Sequence, residues 1–134
     1  MPEKETLERA RQDKREGKAP STQAGEFVRE EIEHIREGKH GARSAKQAIA
    51  IGLSKARRAG VKLSPPKKGQ ASAETRKNAS RDYRAGQSGH TPSAKRSRAA
   101  LKALKDEPRS VVSHKALSKH AKAVAARRRR SPSA

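Results

Sequence analysis

Beyond residue 37 the chain carries twenty-six Lys and Arg against only four acids, Glu74, Asp82, Asp106 and Glu107. Side chains of that type at that density suit one chemistry above others. They neutralise phosphates and release counterions, giving an affinity that is steep in salt and nearly blind to base sequence. The first 37 residues differ, with ten acids against eight cations. A net charge of +20 opposes compaction by self-repulsion unless a polyanion neutralises it. The candidate phosphate contacts are Arg43, Lys46, Lys55, Arg57, Arg58, Lys62, Lys67 and Lys68, then Lys95, Arg96, Arg98 and Lys102. Lys115, Lys119, Lys122, Arg127, Arg128, Arg129 and Arg130 complete the set.

Other chemistries are poorly served. Single-strand binders stack bases on aromatic rings for about 1–3 kcal/mol per base, yet only Phe27 and Tyr83 are available. This favours contacts to the backbone of duplex DNA or structured RNA, with arginine stacking left open. The five histidines, His34, His40, His90, His114 and His120, lack zinc-ligand spacing, and no cysteine supports them. They read as surface residues, and no metal or other cofactor is expected. No phosphate-binding glycine loop, nucleophile elbow or paired buried carboxylate is visible, so no catalytic residues and no small-molecule substrate are expected.

Few apolar residues exist to position these groups. Leu, Ile, Val and Phe number sixteen, and nine of them lie between Phe27 and Leu63. Such poverty with high charge points to disorder or a minimal fold. Residues 1–20 read as a charged arm, with a frayed helix over Thr6 to Glu16 offering only Leu7 and Ala10 as an apolar side. Ser21 or Thr22 can cap a helix running to Glu37, stopped by Gly38. Its wheel gathers Ala24, Val28, Ile32 and Ile35 on one stripe, and Glu26, Glu30, Glu33 and Glu37 nearly opposite. That acidic stripe has three readings: a solvated face, a docking surface for the basic tail, or, least favoured, a metal site. The metal reading lacks ligands from a second element.

Ser44-Ala45-Lys46-Gln47 matches a capping box. The helix it opens runs to Ala59 and closes at Gly60. Its stripe is Ala45, Ile49, Gly52, Leu53 and Ala56, small enough for a partner helix to come close. Ile51 points away, either as an ordinary exposed residue or as part of a dimer contact. Two helices with a short link form an antiparallel hairpin. Placed in a major groove as in helix-turn-helix proteins, the second helix would offer Arg43, Lys46, Gln47, Lys55, Arg57 and Arg58. The long link and the want of a third core helix oppose that.

Past Leu63, Ser64-Pro65-Pro66 begins a linker containing a weak helix over 72–85 that ends at Gly86. Thr91-Pro92 is the next helix start, carrying Ala94, Ser97, Leu101 and Leu104 up to Pro108. Ser110 opens the last, with Val111, Leu117, Ala121 and Val124, before the four arginines and a Ser131-Pro132 tail. This basic patch is compatible with a nuclear import signal in a eukaryote. Ser44-Ala45-Lys46, Ser93-Ala94-Lys95 and, loosely, Ser113-His114-Lys115 read either as an internal repeat or as chance. No apolar run approaches the roughly 20 residues needed to span a bilayer, and the N-terminus does not read as a signal peptide. An intracellular soluble protein is the expectation.

From Gly25-Glu26-Phe27-Val28 to Lys39-His40-Gly41, and over Ser44 to Gly60, the chain resembles a family of small basic bacterial proteins. The family is catalogued as a domain of unknown function, and its members are sometimes labelled DNA-binding or plasmid-stabilising. The block Lys46-Gln47-Ala48-Ile49-Ala50-Ile51-Gly52-Leu53-Ser54-Lys55-Ala56-Arg57 carries the likeness best, and Lys95 to Ala99 and Ser113 to Ser118 extend it. The resemblance implies a bacterial cytoplasmic or nucleoid protein and brings no catalytic residues. The C-terminal half is also similar in texture to linker-histone tails.

The expected molecule is all-α. It has an arm at 1–20, a hairpin at 21–63, a Pro/Gly-rich linker with a weak helix at 64–90, and a basic helical region at 91–134, with disordered termini and linkers. Its expected function is largely sequence-nonspecific nucleic-acid binding, to duplex DNA ahead of RNA, with compaction or protection as the result. RNA or ribosome association is the first alternative. A protein-binding adaptor or antitoxin-like role for the hairpin is the second. Membrane binding is not expected, and pairing of two copies through the hairpin is open.

Overall fold

The computed structural model describes residues 2–89 and 93–130. Among them are six α-helices: α1 Lys4–Arg15, α2 Pro20–Arg36, α3 Ala45–Arg58, α4 Ala73–Gln87, α5 Ala94–Lys105 and α6 His114–Arg130. A single 3-10 turn, Ser110–Val112, precedes α6. The molecule is all-α, as expected.

The α2–α3 hairpin organises the rest. The Ser44 hydroxyl caps α3 by accepting from the Gln47 amide at 3.1 Å. Gln47 reaches back one residue further than a standard capping box, its Oε1 accepting from the Arg43 amide. Gly38 and Gly60 close α2 and α3 at φ +83 and +100, conformations that suit only glycine well. The two helices cross at Gly52, where an added Cβ would lie 2.6 Å from the Val28 Cα. The small-residue stripe thus lets the backbones approach. Ser72, Ser93 and Ser113 cap α4, α5 and α6 in the same manner as Ser44.

Several boundaries depart from expectation. Helix α2 starts earlier, at Pro20, and neither Ser21 nor Thr22 caps it. Proline at the first position has no amide to satisfy and a φ already set for a helix. Ser93, not Thr91, caps α5; Thr91, Pro92, His90 and the Ser131-Pro132 tail lie outside the described residues. The last helix starts at His114 rather than Ser110, because Val112 is pulled into the core and Arg36 donates to its carbonyl at 3.1 Å.

Two apolar clusters flank the hairpin. Ala10, Ala24, Phe27, Ala56 and Val61 form one, with Leu7, Leu53 and Leu63 against it. Ile35, Ala42, Ala48 and Val112 form the other, with Ile32 and Val111. The N-terminal arm is therefore not a frayed appendage. Helix α1 packs on α2 through Leu7 and Ala10, and Arg9 pairs with Glu26 at 3.1 Å. The segment read as a linker also packs: α4 lies on α3, with Ala79 and Asp82 buried.

Helix α5 stands apart. It has no buried residue and makes no helix-to-helix packing among the described residues, and its Leu101 is 41% exposed. Two backbone bonds near its end hold it: the Gly41 amide donates to the Leu104 carbonyl and the Ala42 amide to the Pro108 carbonyl, both at 2.8 Å. A groove of about 1290 Å³ separates it from α3 and α4, with Ile51, Leu101 and Leu104 in its walls.

Candidate nucleic-acid interface

The cations divide into two groups by what they touch. Lys55 forms an ion pair with Glu31. Arg57 is 6% exposed and donates to the Leu63 and Ser64 carbonyls at 3.1 Å, fastening the chain that leaves α3. Burial lowers the Arg57 guanidinium pKa, opposed in part by the charge of Asp82. Arg58 pairs with Asp82 at 2.7 Å, and the Ser54 hydroxyl donates to the other Asp82 oxygen at the same distance. These three cations, expected on a phosphate-facing surface, instead hold the fold together. With Gln47 engaged as well, a groove-reading α3 keeps only Arg43 and Lys46.

The remaining candidates are exposed and form no ion pair among the described residues. They are Arg43 and Lys46 at the start of α3, Lys62, Lys67 and Lys68 in the extended segment, and the basic residues of α5 and of α6 as far as Arg129. Along α5, Lys95, Arg98 and Lys102 follow i, i+3, i+7 spacing and share a face. In α6, Lys115, Lys119 and Lys122 share a face at i, i+4, i+7 spacing, and Arg127, Arg128 and Arg129 lie in its last turn, where cations favour the macrodipole. Arg130 is the last residue of α6. Each stripe runs about 10 Å along its axis at 1.5 Å per residue. Duplex DNA presents a charge about every 1.7 Å along its own axis, so either stripe can meet several phosphates.

The acidic stripe of α2 has a use that none of its three readings anticipated. Glu26 meets Arg9 of α1, and Glu30 is fully buried, accepting from the Glu3 amide at 2.5 Å and the Thr6 hydroxyl at 3.2 Å. This half of the stripe is covered by α1 rather than left to solvent or to the basic tail. Glu33 stays outside, paired with Arg29 within the helix.

A second polar cluster was missed from spacing alone. Glu31 is fully buried, and one carboxylate oxygen of it, one ring nitrogen of His34 and one of His40 all lie within 4.8 Å of one another. Glu3, Glu30 and His34 form an adjoining triad by the same measure. His34 and Lys39 hydrogen-bond to the Glu3 carboxylate and lower its pKa. The signal was present in the sequence: Glu31 and His34 stand at i, i+3, one turn apart on a face. Zinc-finger spacings do not include that pattern.

Among the described residues, no helix is long and apolar enough to cross a membrane. No curated protein and no solved structure matches the chain. Residues 8–68, from within α1 through the hairpin to Lys68, match the model of a family of unknown function (DUF6496).

Proposed function

We propose that the chain binds nucleic acid, duplex DNA foremost, through phosphate contacts from α5, α6 and the Lys62 to Lys68 segment, with little regard to base sequence. One observation carries this reading. Between residues 93 and 130 there are thirteen Lys and Arg against two acids, and the cations of these helices as far as Arg129 are exposed with no ion pair among the described residues. Phe27 is buried in the core, so ring stacking on it is closed off, which also favours the backbone. Compaction or protection of DNA, in the nucleoid if the source is bacterial, would be the consequence.

Fluorescence anisotropy with labelled duplex DNA, single-stranded DNA and duplex RNA, from about 50 to 200 mM salt, tests the reading. Tightest binding to duplex DNA with a log–log slope of several counterions supports it. Tightest binding to RNA moves the protein towards ribosome or transcript association. Weak binding to all three at low salt removes it. An adaptor reading has its own observation, the groove carrying Ile51 and Leu101, and demands a protein complex that survives high salt.

A further inference from the structure

We propose that Glu31, His34 and His40 form a binding site for a divalent transition-metal ion of the zinc class. The hydrogen bonds of His40 carry the inference. Its Nδ1 lies 2.9 Å from the Gly41 carbonyl oxygen, which can only accept, so Nδ1 holds the proton and donates. Its Nε2 then faces Glu31 Oε2 at 3.1 Å. A neutral imidazole would set two lone pairs against each other there. A proton shared between the two atoms or a cation held between them resolves the contact.

The surroundings suit a cation. A ligating histidine characteristically donates its other N–H to a carbonyl or carboxylate, which fixes the tautomer and aims the ligating nitrogen. His40 is held in that way by Gly41. In a tetrahedral site with bonds of about 2.0–2.1 Å, neighbouring ligand atoms sit about 3.3 Å apart, close to the separation of Nε2 and Oε2. His34 stands edge-on to His40, ring centroids 6.3 Å apart, and supplies the third ligand. Two imidazoles and a carboxylate, without thiolate, suit zinc and its neighbours rather than magnesium or calcium.

A separate observation points to the same place. Glu30 is buried, and its Oε2 has no hydrogen-bond partner. Glu30 shares a triad with His34 and Glu3, so a buried carboxylate with one unmatched oxygen adjoins His34. The three carboxylates Glu3, Glu30 and Glu31 are met by two ammonium groups, Lys39 and Lys55, leaving local negative charge for the ion. The groove beside α3 reaches Glu31, His34 and His40 and gives a path of entry.

The test is calorimetric titration of the chelator-treated full chain, free of nucleic acid, with Zn2+, and with Co2+ followed by visible absorption. The site predicts one equivalent bound with a Kd on the order of micromolar and Co2+ d–d bands of imidazole and carboxylate ligation. His34→Ala, at the edge of the cluster, should weaken binding about a hundredfold or more while circular dichroism shows unchanged helix content. His40→Gln should do the same; should that variant unfold, His34→Ala alone decides. The proposal is overturned if wild-type protein takes up no Zn2+ at micromolar concentration. Binding that persists in His34→Ala overturns it too, since the ion then sits on the remaining histidines His90, His114 and His120. In that event the contact of His40 with Glu31 is a structural hydrogen bond and nothing more.

Discussion

Residues 2–63 and 93–130 handle charge in opposite ways. In the first, fifteen cations accompany ten acids, and its buried acids find partners inside the fold: Glu31 meets Lys55 and His40, and one oxygen of Glu30 meets Thr6 and the Glu3 amide. In the second, thirteen cations accompany two acids, and α5 has no buried side chain at all. Much of the charge in the first region fixes the fold, Arg43, Lys46 and Lys62 excepted, while in the second it is left for a partner. A basic protein therefore need not be basic everywhere for the same reason, and counting cations overstates the binding surface by those engaged within.

If that contrast holds, core damage should lower stability without altering how the protein meets nucleic acid. Phe27→Ala, at a side chain 1% exposed, should destabilise the fold by about 3–5 kcal/mol, read by urea unfolding. At temperatures where it stays folded, its salt slope for DNA should match wild type. Gly52→Ala forces a methyl against Val28 and should cost about 1–3 kcal/mol, with the same unchanged slope. A flattened slope in either variant would mean that the hairpin itself carries phosphate contacts.

Reciprocal variants sharpen the other side. Lys115→Gln, Lys119→Gln and Lys122→Gln together should reduce the log–log salt slope by about 2.7, at 0.9 per phosphate lost. The unfolding free energy should stay within about 0.5 kcal/mol of wild type. The smallest effect concerns α1. Glu3 has its pKa lowered below the ordinary 4.5 by hydrogen bonds from His34 and Lys39. A depressed carboxylate stabilises the fold above pH 4.5 and loses that contribution as pH falls through the native value. The stability difference between wild type and Glu3→Gln should therefore be seen at pH 6 and shrink below pH 4.

The hairpin was legible because its signals are local: Ser44 and Gln47 cap, Gly38 and Gly60 close, and Gly52 permits the crossing. The burial of acids was not. A helical wheel assigns Glu to water by polarity, whereas Glu30 and Glu31 are buried because Thr6, Glu3, His40 and Lys55 supply partners from other parts of the chain. Even so, Phe27, Glu31 and Ile35 stand at i, i+4, i+8, and all three are fully buried. That row shows the buried face of α2 turned towards the acidic side of the expected stripe, leaving Val28 and Ile32 half-buried. Docking of α1 was hidden for a related reason, since it depends on Arg9 and Thr6 as much as on Leu7 and Ala10. Among the cations, Arg57 could not be separated from Lys62 by sequence, because only the path of Leu63 and Ser64 gives its guanidinium two carbonyls.

The pair of backbone bonds from Gly41 and Ala42 to Leu104 and Pro108 also sets an order of assembly. Closing a loop of roughly sixty residues costs about 3–4 kcal/mol of chain entropy, and the hairpin turn must exist before it can accept the later segment. During synthesis the hairpin emerges first and can fold as a unit while the basic half is still being made. The latch at Gly41 tolerates no side chain, since a Cβ there would overlap the Glu107 carbonyl. The docking of α5 thus turns on one hydrogen atom in place of a methyl group, and a chain altered there would complete its hairpin and seat Val112 while the end of α5 lost the two backbone bonds that hold it.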